Sequence, residues 1–166
     1  MFEKLKKAFK QEERKIELMA PLSGVAVAIS DVSDLTFSEE ILGKGIAIKP
    51  TEGRVKSPVN GKVSQMFDTN HAVSLISDEG VEILIHIGLD TVELKGEHFT
   101  PQKRDGDIVA IGDELIVFDL DAIGSAGYDT VVPIVILNSD DYKDFEMTSK
   151  KDIVAGDEII SLVKPA

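Results

Sequence analysis

The chain has 166 residues, 43% hydrophobic and 29% charged, enough to bury a core of its own within one globular domain. It has no cysteine, which excludes a disulfide scaffold, a thiolate metal site and a thiol nucleophile. A formal net charge of −12 argues against a nucleic-acid partner and favours basic proteins as partners.

The start of the chain is chemically distinct. Residues 1–15 carry six Lys or Arg against three Glu, so the remainder is more acidic than the total suggests. Phe2, Leu5 and Phe9 recur at near-helical spacing among Lys4, Lys6, Lys7 and Lys10. That pattern reads either as a short amphipathic helix making weak contact with an anionic membrane through residues 1–10, or as a solvated tail. Residues 11–17 are mostly polar and read as a tether, which leaves 18–166 as the folded domain. No stretch approaches eighteen uninterrupted apolar residues and the N-terminus lacks a secretory signal pattern, so the chain is expected to be cytoplasmic.

From Met19 onward, short apolar or alternating runs are punctuated by Gly, Pro, Asn and Asp, the signature of an all-β domain. Strands are predicted at 24–30, 45–49, 62–67, 72–77, 81–87, 114–119, 131–137 and 159–163. Helix is expected to be scarce; residues 120–128 could make a turn or two, against the cost of Gly124 and Gly127. Two echoes stand out. Ala20-Pro21-Leu22-Ser23-Gly24 resembles Ser57-Pro58-Val59-Asn60-Gly61, and the segment from Asp107 to Leu115 resembles that from Asp152 to Ile159, one residue shorter. Duplicated β-units that bury their apolar faces against each other predict an antiparallel β-sandwich.

His71 and His86 lie on two apolar runs joined by Ser77-Asp78-Glu79-Gly80. A two-residue turn at Asp78-Glu79 would place His71 directly opposite His86, with Cβ atoms roughly 4.5–5.5 Å apart. Alternation sends Val81, Ile83, Ile85 and Ile87 to the core and Glu82, Leu84 and His86 to the other face. An imidazole beside Leu84 can stay neutral near pH 7, with a nitrogen free as nucleophile, base or ligand. Thr69 could orient His71, and Asp90 could draw in a cationic partner or bias the His86 proton. His98 sits in a polar segment and is expected at the surface. Three readings of the residues stand: phosphoryl exchange between two histidines, zinc hydrolysis with His71, His86 and Asp90 as ligands, and a lipoyl- or biotin-type carrier. No Lys occupies a convincing hairpin tip for the third.

The segments Phe67-Asp68-Thr69-Asn70-His71-Ala72-Val73-Ser74 and Ile85-His86-Ile87-Gly88-Leu89-Asp90-Thr91-Val92-Glu93-Leu94-Lys95-Gly96-Glu97 closely resemble the glucose-family enzyme IIA of the bacterial phosphoenolpyruvate-dependent sugar phosphotransferase system. The likeness runs from about Pro21 to the C-terminus, and the basic start is similar to that of free-standing members. The resemblance implies an antiparallel β-sandwich acting as a phosphotransferase through a phosphohistidine. His86 matches the residue that accepts phosphate from the histidine-containing phosphocarrier protein, for delivery to a cysteine of the B domain of a glucose-type permease. His71 matches the second histidine, which hydrogen-bonds the phosphoryl group, and Thr69 the hydroxyl that supports it. Phe37 and Phe67 match the apolar rim where partners dock, and Asp34 and Asp90 match acidic positions that engage an arginine of the phosphocarrier. Leu84 departs from a rim position where an aromatic is common. The resemblance also implies regulated enzymes or transporters as further partners. It requires no cofactor, although some members hold zinc through the two histidines and a carboxylate from a regulated enzyme, which makes His71 and His86 candidate zinc ligands. The hydrolase alternative is similar to bacterial cell-wall endopeptidases in the His86-x-x-x-Asp90 spacing, but their His-x-His motif is absent.

Overall fold

A computed structural model describes residues 12–166. The strands are β1 (Arg14–Met19), β2 (Gly24–Ala28), β3 (Lys44–Pro50), β4 (Arg54–Lys56), β5 (Gly61–Met66), β6 (Ala72–Ser77) and β7 (Glu82–His86) in the first half. They continue as β8 (Phe99–Pro101), β9 (Ile108–Val109), β10 (Glu114–Phe118), β11 (Val132–Ile136), β12 (Lys143–Met147), β13 (Asp152–Ile153) and β14 (Glu158–Lys164). Among the described residues two short α-helices interrupt them, α1 (Leu35–Ser38) and α2 (Leu120–Ser125). Asp34 caps the first by accepting from the Thr36 N–H at 2.9 Å, and Asp119 caps the second by accepting from that of Ala122 at 3.0 Å.

An eight-stranded antiparallel sheet, in the order β13-β2-β3-β11-β7-β6-β5-β9, packs against two three-stranded sheets, β1-β14-β12 and β4-β10-β8. The expected β-sandwich is the observed fold. Its main core holds Leu18, Ile48, Leu75, Ile83, Ile85, Ile116, Ile134 and Leu162 without solvent exposure beyond 1%. Each such side chain stabilises the fold by about 1.5–3 kcal/mol relative to exposure. The large sheet also buries part of its other face. There Phe37, Ala47, Ala72, Leu84, Leu89, Val131 and Val135 form a smaller cluster under α1 and the 3-10 turn Ile29–Asp31. His86 projects onto that second face.

The sequence echoes are structural repeats. Ser23 Oγ accepts from the Ala155 N–H and Asn60 Oδ1 from that of Ile111, both at 2.9 Å. Asp157 accepts from the Val154 N–H and Asp113 from that of Ala110, again both at 2.9 Å. The two halves also exchange bonds symmetrically, Met19 N–H to the Pro58 carbonyl and Lys56 N–H to the Pro21 carbonyl. One detail of the echo is corrected. Lys151 and Asp107 are equivalent, since their carbonyls accept from Ala26 and Val63. The repeats therefore align without a gap, and the shared Asp-Ile-Val-Ala letters are one residue out of step. Left-handed Gly112 and Gly156, each followed by the turn-capping Asp, set the alignment, not the strand residues before them.

Residues 14–17, expected in a tether, instead belong to β1, which pairs with β14 from Arg14↔Lys164 onward. Ile16 and Leu18 face the core while Arg14, Lys15 and Glu17 are exposed, so a polar count concealed an alternating strand. Residues 1–10, read either as an amphipathic helix or as a solvated tail, lie outside the described residues. Among the described residues no helix is long and apolar enough to cross a membrane.

The β6–β7 register also differs from expectation. The connection has three residues, Asp78, Glu79 and Gly80, with Gly80 at φ 94° and the Ser77 N–H bonded to the Val81 carbonyl. That left-handed glycine adds one residue to the turn. His86 therefore stands opposite Ala72, and Leu84 opposite Ser74.

Candidate active site

The two histidines nevertheless meet. Their ring centroids are 4.9 Å apart at an interplanar angle of 83°. Strict alternation beyond Ala72 would send His71 to the core with Val73, but the strand stops there. Asn70 adopts a left-handed conformation at φ 58°, and its N–H closes a turn onto the Phe67 carbonyl at 2.7 Å. The His71 carbonyl stays in register, accepting from the Ile87 N–H at 2.8 Å, while its ring lies against His86. Proximity thus comes from the end of a strand and not from direct opposition.

Each imidazole has one nitrogen fixed by the protein. His86 Nδ1 lies 2.7 Å from the Gly88 carbonyl, which can only accept, so the proton sits on Nδ1 and the lone pair on Nε2. His71 Nδ1 lies 2.5 Å from Thr69 Oγ1. When that hydroxyl donates, the His71 proton is on Nε2, where it can be offered to a group bound at His86. Phe37 stacks at a tilt on His86, with centroids 5.2 Å apart, and Phe67 meets His71 edge-on at 5.8 Å. Both aromatics assigned to the rim therefore touch the imidazoles.

The surroundings hold both rings neutral. Burial, with a smaller contribution from His86, lowers the pKa of His71 from 6.5 to about 4. Burial also lowers that of His86, opposed by the Gly88 carbonyl and by the charges of Asp34 and Asp90. A neutral His86 presents an available lone pair at pH 7. The stability consequence has a definite sign. Between pH 6.5 and 4 the unfolded chain binds a proton at His71 that the folded chain does not, so stability falls as pH drops through that window. His71→Gln should flatten this part of the profile, as chemical denaturation of both proteins at several pH values would reveal; parallel profiles would contradict it.

His86 opens into a depression of about 480 Å³ lined by Asp34, Thr36, Phe37, Leu42, Gln65, Phe67, Ser74, Leu84 and Leu137. Leu84 is 7% exposed and forms part of its floor. Sequence reasoning missed Thr36, Leu42, Gln65, Ser74 and Leu137. Ser74 was detectable only with the right register, which puts it opposite Leu84. Asp90 is exposed at the start of the 3-10 turn Thr91–Leu94, in a left-handed conformation at φ 60°. It acts on His86 through its charge. It does not complete a metal triad: among the described residues no three His, Cys, Asp or Glu side chains are grouped to hold a metal ion. The ligand set of the hydrolase reading is therefore not assembled. His98, expected at the surface, is half-buried beside a separate depression of about 590 Å³ that Glu52 and Asp119 also line.

Comparison with known proteins shows the family. The family described as phosphoenolpyruvate-dependent sugar phosphotransferase system, EIIA 1, matches residues 16–142. The chain belongs to that family. It is 39% identical over 160 residues to the glucose-specific EIIA component of Oceanobacillus iheyensis, covering 96% of this chain and 97% of that one. It is 47% identical to the β-glucoside-specific EIIBCA component of Dickeya chrysanthemi, covering 88% of this chain but 23% of the longer protein. The solved structure of glucose permease IIA from Mycoplasma capricolum superposes with a TM-score of 0.84 at 33% identity, over 89% of this chain and 96% of that one. The chain is accordingly an EIIA unit of the sugar phosphotransferase family.

Proposed function

We propose that this EIIA chain accepts a phosphoryl group on His86 Nε2 from the histidine-containing phosphocarrier protein and passes it to a cysteine on the B domain of a glucose-type permease. The observation that carries this reading is the pair of imidazoles whose Nδ1 atoms are both engaged, which leaves the lone pair on Nε2 of His86, a residue lining a mostly apolar depression. In the first step the Nε2 lone pair attacks phosphorus in line. The P–N bond to the carrier breaks, and its electron pair returns to the carrier's imidazole. In the second, a thiolate attacks and the electron pair returns to Nε2. Because the transition state is loose, catalysis is mostly positioning and stabilisation of the equatorial oxygens. His71 supplies that hydrogen bond, and Thr69 fixes its tautomer.

Phe37, Phe67 and Leu84 supply the apolar docking surface, and Asp34 and Asp90 attract an arginine of the phosphocarrier. Their charge agrees with a net −12 chain meeting basic partners. The relatives' names favour glucose or a β-glucoside as the sugar. The fusion of this unit to B and C units in the β-glucoside proteins supports a B domain as recipient. The working domain is 18–166 extended by β1, placed in the cytoplasm, with residues 1–10 available for weak membrane contact. The transfer requires no cofactor. His71 and His86 offer two nitrogens to zinc, too few for a tight site without a carboxylate from a regulated enzyme or transporter. After incubation with the phosphorylated carrier, mass spectrometry under alkaline conditions should map a single phosphoryl group to His86; a different acceptor would overturn the assignment.

A further inference from the structure

We infer that Thr91 is a positioning residue for this transfer, holding the Gly88 carbonyl on His86 Nδ1 and thereby keeping the lone pair on Nε2; the inference rests on the proposed role of His86. Thr91 is fully buried, and its hydroxyl donates to the Ile87 carbonyl at 2.5 Å. Two consecutive peptide planes are pinned at both ends. The first, between Ile87 and Gly88, gives its carbonyl to Thr91 and its N–H to the Val131 carbonyl at 2.9 Å. The second, between Gly88 and Leu89, gives its carbonyl to His86 Nδ1 at 2.7 Å and its N–H to the Asp129 carbonyl at 2.9 Å. Asp129 is itself held, its Oδ1 accepting from the Val131 N–H at 3.0 Å.

The hinge between these planes is Gly88 at φ 76°. A Cβ there would approach Thr91 Cγ2 at 2.6 Å and the Asp129 carbonyl oxygen at 2.8 Å. The Thr91 methyl therefore closes one side of the hinge while its hydroxyl locks the plane before it. Without the hydroxyl, the Ile87 carbonyl loses a buried donor and the first plane can rock. Rotation about Gly88 then draws its carbonyl away from His86. An unrestrained neutral imidazole favours the proton on Nε2, the tautomer that cannot attack phosphorus at that atom. Sequence alone gave Thr91 no role beyond its place in the family-like segment.

The test combines a tautomer measurement with kinetics on the full chain. In nitrogen-15-labelled protein above the His86 pKa, long-range proton–nitrogen correlation should show wild-type His86 protonated at Nδ1. Thr91→Val, close in shape but lacking the hydroxyl, should shift His86 towards Nε2 protonation. Its phosphate acceptance should slow about tenfold in kcat with little change in KM for the carrier. Thr91→Ser should restore both the tautomer and the rate. A folded Thr91→Val protein with wild-type tautomer and rate overturns the inference. If Thr91→Val does not fold, a folded Thr91→Ser protein with a scrambled tautomer overturns it equally. The tautomer measurement needs no phosphate, so it judges Thr91 separately from whether phosphate maps to His86.

Discussion

His86→Ala should abolish phosphate acceptance: incubated with phosphoenolpyruvate, the first enzyme of the system and the phosphocarrier, the variant should retain no label above background. The expectation follows from the two nitrogens at the site. Of the two, only His86 combines an Nδ1 proton fixed on a backbone carbonyl with a ring that lines the open depression. His71 is 5% exposed, so an incoming phosphohistidine has little access to it. Removing the ring also removes the Phe37 contact and the Gly88 hydrogen bond. The latter contributes about 0.5–1.5 kcal/mol, too little to unfold a typical domain. An unchanged thermal midpoint within several degrees, with label absent, would separate loss of the nucleophile from loss of the fold. Label retained at wild-type level would overturn the assignment.

How much of this was legible beforehand depends on which physical signal each feature leaves. Strands β2, β3, β5, β6, β7, β10, β11 and β14 were readable to within a residue or two at each end, because their apolar alternation or continuous apolar runs lie between clear turn residues. Strands β4, β8, β9 and β13 have two or three residues, too short to show a period, and β12 is mostly exposed and interrupted by left-handed Asp144. Helix α1 has four residues and depends on the Asp34 cap, a local signal easily lost in a loop. The histidine pair was legible for an incomplete reason. Turn length was misjudged by one residue, and by strict alternation that error should have separated the rings. The left-handed turn at Asn70 restored their meeting, a backbone feature that neither hydrophobic period nor pair spacing encodes. The fixing of the His86 tautomer was out of reach altogether, since it depends on a carbonyl and every residue has one.

His71→Gln should still accept phosphate, within about tenfold of wild type, but deliver it to the permease B domain about 10²–10³-fold more slowly, the scale of one preorganised electrostatic contribution to a charged transition state. The asymmetry comes from charge. On the proposed route the nucleophile in acceptance is the neutral His86 imidazole, and an amide N–H at position 71 can still bond an equatorial oxygen. In delivery an anionic thiolate must approach a dianionic phosphoryl group. Once His86 carries that group, the nearby negative charge raises the pKa of His71 from the low value that burial gives it. The ring 4.9 Å away can then bind a proton and offset the repulsion as the thiolate closes in. Glutamine remains neutral throughout. Thr69→Val should reproduce part of this defect, because His71 loses the hydroxyl that holds its Nδ1. Rapid-quench measurement of label moving from the carrier to this chain, and from this chain to the B domain, separates the two steps. Equal slowing of both would show that His71 acts as a hydrogen-bond donor alone, and an unimpaired second step would remove it from the transfer machinery.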